Sequence, residues 1–431
     1  MAPRSGSAAT APMGLWGAVA IGVGGMVGGG IFAVLGLSVQ ITKGAAPLAF
    51  LLAGLVAMLT ARSYARLSTA YPSRGGTVAF VNHAFGSGLF SGGINVLLWL
   101  SYIVMLALYS QAFGGYAASF LPPAYHGLGK HLFLTVVLFA ITAVNVAGTS
   151  TVARTERFVV AIKVVILIFF VAVGVFGVST TRLAPAQWSS PVSIVAGGMI
   201  IFLAYEGFEL IANAAEDVAH PERTLTRAYY ISVLFVIVLY IAVAVVAVGS
   251  LPIGQLVNAQ DYALAEAARP ALGSAGFTLI AVAAMLSTAS AINATLYGSA
   301  RMTYVIATSG ELPARLERPI WNRPILGLLI TGGSTVVIAN VLDLHSISTM
   351  GSAGFLIVFA VVNTAEARTA RSRGDARPWI SMVAALACVG ALVALVATSS
   401  LGQCLVLLSM VLLAFGVELV FRVAKLRMPR V

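Results

Sequence analysis

The sequence predicts an all-α integral membrane protein with twelve transmembrane helices, and three observations carry that reading. Of 431 residues, 59% are hydrophobic and only 9% charged, at a mean hydropathy of +0.98, more apolar than a soluble globule needs. Apolar runs of about 20 residues recur from end to end, each long enough as a helix to cross roughly 30 Å of hydrocarbon. The runs also lack the apolar/polar alternation that a membrane barrel requires.

In order, the runs cover 14–37, 44–66, 88–118, 131–148, 156–178, 191–215, 227–250, 273–304, 325–341, 345–365, 379–398 and 402–422. Charges punctuate them. Lys43 separates the first two, and Arg62, Arg66 and Arg74 follow the second. Lys130 precedes the fourth, Arg154 and Arg157 open the fifth, and Arg182 follows it. Arg223 and Arg227 precede the seventh, and Arg269 ends the longest polar stretch, 251–272, read as a loop carrying a short surface helix. Arg301, Arg315, Arg318 and Arg323 separate the eighth and ninth. Arg368, Arg371, Arg373 and Arg377 follow the tenth, and Arg422, Lys425, Arg427 and Arg430 close the chain.

With Arg4 inside, twenty of the 25 basic residues fall on the cytoplasmic side and four outside, with Lys163 left within a span. That asymmetry predicts a multi-pass protein of the cell membrane with both termini cytoplasmic. The net charge of +11 therefore reports topology and contact with anionic lipid, not a nucleic-acid partner. The first run is too long and too glycine-rich in its middle for a cleavable signal. Cys388 and Cys404 form neither a disulfide framework nor a metal-ligand spacing. No nucleophile–base pair, cofactor fingerprint or soluble domain is apparent, so the chain reads as no enzyme, with no cofactor and no metal.

The first run contains six glycines in the nine positions from Gly22 to Gly30. Gly24/Gly28 and Gly25/Gly29 are also GxxxG pairs, so close helix packing is one explanation. The density of the cluster points further, to a helix that unwinds and presents backbone groups to a ligand, with Gly25, Met26, Gly28, Gly29 and Gly30 as contacts. The sixth run is interrupted at Ala204-Tyr205-Glu206-Gly207, with Glu209 just beyond. Carboxylates at that depth are costly in lipid and belong against a cavity or a partner. Broken helices in corresponding positions are the sequence sign of an inverted-repeat transporter. Half-helix N-termini there attract an anionic group and exposed carbonyls a cation, which suits a zwitterion.

Three motifs then carry a family resemblance along essentially the whole chain. Gly28-Gly29-Gly30-Ile31-Phe32 resembles the G-x-G-I-F signature of the amino acid–polyamine–organocation permeases. Tyr205-Glu206-Gly207-Phe208-Glu209, with Ala214-Ala215-Glu216-Asp217 and His220-Pro221-Glu222-Arg223, is similar to their signature from helix six to helix seven. Ser287-Thr288-Ala289-Ser290-Ala291-Ile292-Asn293-Ala294 through Arg301, with Gly310-Glu311-Leu312-Pro313, resembles their helix eight. The resemblance implies the leucine-transporter-type 5+5 inverted repeat plus two C-terminal helices. The division becomes a cytoplasmic tail at 1–13, a first repeat at 14–178, a second at 191–365, helices eleven and twelve at 379–422, and a tail at 423–431. It also implies secondary transport of amino acids or related amines by alternating access.

Lys163 lies about seven residues into the fifth run, roughly 10 Å along the helix. It either snorkels to the cytoplasmic surface or is a buried, titrating amine. The family favours the second, since proton-coupled members hold a helix-five lysine where sodium-coupled relatives hold an ion. That implies contact of Lys163 with helix-one carbonyls near Gly24 or Gly25 and with the helix-eight hydroxyls Ser287 and Ser290. Those two serines share a face, although each could instead bond its own helix. Glu206, which could also meet the ammonium of a substrate, and Glu209 are further proton-coupling candidates; the alternatives are a buried ion pair with Lys163 or a hydrogen-bonded structural carboxylate. Phe202, Tyr205 and Phe208 flank the break; the resemblance implies that one such aromatic closes over the substrate, with packing as the other role, and Tyr102 and Asn293 are candidate lining residues. The expected function is proton-coupled amino-acid transport. The alternative on the same fold is an exchanger or polyamine carrier, which the extra acid of Glu206 and Glu209 suits. The expected partners are a small amino acid or amine, protons and membrane lipid.

Overall fold

The computed structural model describes residues 13–147, 152–308, 325–374 and 377–423, with the side chains of 152–157, 301 and 308 left out. The expected tails, apart from Met13 and Val423, lie outside these residues. So do Arg315, Arg318, Arg323 and the Gly310–Pro313 motif. Among the described residues the chain is helical, with two isolated backbone bridges, Met13 to Val218 and Lys43 to Trp188, and no strand.

The elements run α1 (Leu15–Met26), α2 (Gly30–Thr42), α3 (Ala46–Ala70), α4 (Gly76–Phe85), α5 (Leu89–Ala118), α6 (His126–Ala147), α7 (Val152–Gly174), α8 (Thr180–Leu183) and α9 (Pro191–Ile200). A 3₁₀ tract, Phe202–Asp217, follows. Then come α10 (Pro221–Ser250), α11 (Ile253–Asn258), α12 (Ala263–Thr308), α13 (Ile325–Val341), α14 (Leu344–Ser372), α15 (Pro378–Thr398) and α16 (Leu401–Val423). Among the described residues, ten helical segments are long and apolar enough to cross a membrane. The bent pair α1–α2 supplies one more and the shorter apolar α13 another, so the twelve-helix layout holds.

Burial sorts the helices. α5 is enclosed along nearly its whole length and forms the centre of the bundle. By contrast α6, α7 and α16 turn rows of Leu, Val, Ile and Phe outward, as helices facing acyl chains do. Small residues let the inner helices approach closely: a Cβ on Gly54 of α3 would sit 2.5 Å from Ile237 of α10.

Four expectations change. The stretch Gly22–Met26 stays helical, and helix one breaks later, at Val27–Gly29, with a 44° bend into α2. The sixth span does not unwind at 204–207. Its α-helix ends at Ile200 and continues as a 3₁₀ helix through Glu206 and Gly207. The region 251–272 is mostly helical rather than loop, and α12 turns at Gly273, where φ is +63°. Between the second and third spans lies α4, which opens on Gly76 at φ +46°, a conformation suited to glycine.

The change of winding after Ile200 survives inside the bundle because distant side chains satisfy its backbone groups. Ser348 and Ser352 of α14 donate to the Ile200 carbonyl at 2.7 and 2.8 Å. The Leu203 N–H in turn donates to Ser352 Oγ at 3.2 Å. Every buried backbone group needs such a partner where water is excluded.

Candidate functional site

The two interrupted spans lie against each other. A Cβ on Gly25 of α1 would sit 2.6 Å from the Gly207 carbonyl oxygen, and one on Gly207 would sit 2.2 Å from the Gly25 carbonyl carbon. Only glycine at both positions permits this backbone contact. At one end the pair is stitched by main-chain bonds: Met13 N–H to the Asp217 carbonyl at 2.7 Å and Ala219 N–H to the Met13 carbonyl at 2.8 Å.

Side chains claim four carbonyls around the helix-one break. Tyr240 Oη donates to Met26 at 2.6 Å, and Ser287 Oγ donates to Val27 at 3.2 Å and to Gly28. Lys163 Nζ donates to Gly24 at 3.1 Å. Lys163 is 3% exposed, so it is buried in the bundle rather than snorkelled along a lipid-facing side. Ser287 thus serves the break itself, while Ser290 shares a cavity with Lys163.

That cavity, of about 430 Å³, lies between α1, the 3₁₀ tract, α5, α7 and α12. Its walls are largely apolar, with Ile21, Leu210 and Ala291 among them. Lys163, Glu206, Tyr109, Ser290 and Thr295 add polar groups, and Gly24 and Gly25 contribute backbone. It reaches Met13 and Gly17, the end of helix one where the chain enters. Glu206 is 2% exposed, and its Oε2 has no hydrogen-bond partner. A carboxylate oxygen so placed, facing a cavity, is unfinished without a donor from a ligand.

Glu209, one 3₁₀ turn on, is differently housed. Its Oε2 accepts from Tyr64 Oη at 3.0 Å and Thr77 Oγ1 at 3.2 Å, and its Oε1 from Tyr102 Oη. Three helices, α3, α4 and α5, thereby hold the 3₁₀ tract. The carboxylate is satisfied within the protein and does not line the cavity.

The other expected lining residues take packing places. Tyr102 serves Glu209. Phe202 packs edge-on against Phe359, and Phe208 packs among Tyr64, Tyr229 and Phe359. Tyr205 Oη donates to the Phe50 carbonyl at 3.0 Å. Asn293 accepts from Asn145 of α6 at 2.8 Å, outside the cavity lining. Gly28, Gly29 and Gly30 give room for Ala291, Tyr109 and Ala204 respectively. Of the polar lining residues, sequence reasoning missed Tyr109 and Thr295. Tyr109 stands two helical turns after Tyr102 on the same face of α5, and that spacing was the available signal.

Comparison with known proteins adds identity to this geometry. A family model described as amino acid permease matches residues 13–415. An uncharacterised protein of Methanocaldococcus jannaschii is 34% identical over 349 residues, covering 81% of this chain and 80% of its own. The inner membrane transport protein YbaT of Escherichia coli is 32% identical over 365 residues, 84% of each chain. The branched-chain amino acid permease BcaP of Bacillus subtilis is 22% identical over 372 residues, 80% of this chain and 78% of its own. The family and its named relatives are transporters and permeases, not enzymes. With two broken spans in contact beside an enclosed cavity, this chain belongs to the amino acid permease family of the APC superfamily, as a multi-pass membrane transporter of amino-acid-type solutes.

Proposed function

We propose that the protein is a proton-coupled amino-acid transporter working by alternating access, with its substrate in the cavity beside Gly24, Gly25 and Glu206. The observation that carries this reading is the bond from Lys163 Nζ to the Gly24 carbonyl, made beside that cavity. A protonated Lys163 ties α7 to helix one through a charge-assisted bond, and deprotonation weakens the tie. Proton occupancy and the position of helix one are then linked. The cavity's reach to Met13 corresponds to an inward-facing state if both termini are cytoplasmic, as the distribution of basic residues predicts. The bend in the first span and the change of winding in the sixth suit two five-helix repeats, 14–178 and 191–365, rocking against one another.

The test is uptake into proteoliposomes from a mixed panel of amino acids and amines, with and without a proton gradient, for wild type and Lys163→Ala. Gradient-driven uptake that becomes gradient-independent in Lys163→Ala supports the reading. Equal gradient dependence in both proteins removes Lys163 from it.

A second reading, an exchanger or amine carrier on the same fold, is favoured by the unpartnered Glu206 Oε2, which suits an ammonium. Uptake that needs an internal counter-substrate and ignores the gradient would select it.

A further inference from the structure

A second polar cavity, of about 540 Å³, lies at the end of the bundle opposite Met13. The far end of α2, the start of α6, the loop before α12, the end of α13 and the start of α14 meet there around Gln111 of α5. Its groups separate into those already satisfied within the protein and those left over. Lys130 Nζ holds Asp261 Oδ2 at 2.8 Å. Asp343 caps α14, taking the Ser346 N–H at 2.7 Å and the Ser346 hydroxyl at 3.2 Å. Asn340 Nδ2 donates to Thr135 Oγ1 and the Val336 carbonyl, so its Oδ1 is the acceptor for His131 Nδ1 at 3.0 Å. That assignment puts the proton on Nδ1 and leaves His131 Nε2 as an acceptor.

Gln111 supplies the decisive atom. It is 3% exposed, and its Nε2 donates to the Ala339 and Leu342 carbonyls at 2.7 and 3.1 Å. This fixes the amide orientation and leaves Oε1 buried with no partner. A buried acceptor without a donor is costly, and such a group on a cavity wall marks a place where a ligand supplies the donor. His345 makes no hydrogen bond among the described residues. The unused atoms, Gln111 Oε1 and His131 Nε2, are thus acceptors. Apart from its imidazoles the lining holds one amine against two carboxylates, a balance that suits a cation. Among the described residues no three His, Cys, Asp or Glu converge to hold a metal ion.

We infer that this vestibule is a second binding site, separate from the cavity at Glu206, for a small organic cation bearing a primary ammonium. An –NH₃⁺ group brings three donors to a site of spare acceptors. The inference does not depend on which solute is transported or on proton coupling.

The test is ligand-observed NMR titration of the full chain in nanodiscs, with ethanolammonium as the cation and glycolate as its anionic counterpart. It is run in a Glu206→Gln background to silence the central carboxylate. Ethanolammonium is expected to bind there and glycolate not to bind. Adding Gln111→Met, or separately His131→Phe, should weaken the cation about ten-fold or more, as loss of one hydrogen bond to a charged group does. Thermal midpoints establish that both variants fold. Weakening in either folded variant supports the site. Complete loss of binding from Glu206→Gln alone would assign all binding to the central cavity and overturn it. Equal binding of glycolate, or unchanged cation affinity in both added variants, would also overturn it.

Discussion

Gly25 and Gly207 touch backbone to backbone, and this contact joins the first and sixth spans at the wall of the central cavity. Neither glycine is explained by a left-handed backbone, since neither has a positive φ. Each is there because its neighbour's carbonyl occupies the space a Cβ would need.

Gly207→Ala is therefore expected to force the two spans apart. Overpacking of this kind costs about 1–3 kcal/mol. It should appear as a lowered thermal midpoint together with lost uptake, because the displaced atoms border the cavity. Gly298→Ala, where nothing lies within 4 Å of the added carbon, is the control and should be neutral. Equal behaviour of the two would remove the contact from the argument.

The break at Ile200 makes a redundancy prediction. Two hydroxyls, Ser348 and Ser352, serve one carbonyl. Ser348→Ala should be mild, because Ser352 still donates. The double change Ser348→Ala with Ser352→Ala leaves Ile200 O and Leu203 N–H without these partners and should cost about 1–3 kcal/mol. Thermal unfolding of the two singles and the double decides it. Additive small effects would mean the break is satisfied elsewhere.

Glu209 predicts a coupled set. Tyr64→Phe and Tyr102→Phe each remove one donor from a buried carboxylate, at about 1–3 kcal/mol each. In a Glu209→Gln background the same tyrosine changes should cost less, because the shared acceptor is altered. A double-mutant cycle on thermal stability measures the coupling. Full additivity would show that the tyrosines act through packing alone.

These cases show which features were legible in the sequence. All twelve spans were readable because lipid imposes length and apolarity on each one locally. The depth of Lys163 in an apolar run left snorkelling and burial both open, and the family resemblance favoured the buried position it occupies. The glycine cluster announced a bend but not its place. The bend falls at Val27–Gly29 because Ser287 and Tyr240, more than two hundred residues away, receive the freed carbonyls. The sixth span likewise changes winding at Ile201 rather than at Gly207, because Ser348 and Ser352 stand there and Gly207 is needed for contact with Gly25. Which residue along a helix meets the cavity was the other blind spot. Tyr102 was expected to line it, whereas Tyr109, two turns on along the same face, does so, and Asn293 turns instead to Asn145. In a helix buried along nearly its whole length, like α5, the sequence does not mark the depth at which a cavity opens.

The last prediction concerns the ion pairs near the Met13 end, which look alike on paper and differ in burial. Glu366 of α14 is 1% exposed and accepts from Arg66 Nε of α3 at 3.1 Å and, on both carboxylate oxygens, from Arg373 Nη2 at 2.8 Å. Arg74 meets Glu216 at 3.4 Å and Asp217 at 3.1 Å, but all three side chains are about half exposed. Water and salt screen the second group, so Arg74→Gln should change stability by no more than about 1 kcal/mol. Glu366→Gln removes a buried charge that two arginines were arranged around, and should cost about 3 kcal/mol or more. Raising ionic strength should erode the Arg74 contribution and leave the Glu366 effect nearly intact. If salt abolishes both alike, Glu366 is solvated in the membrane-bound protein and does not fasten α3 to α14.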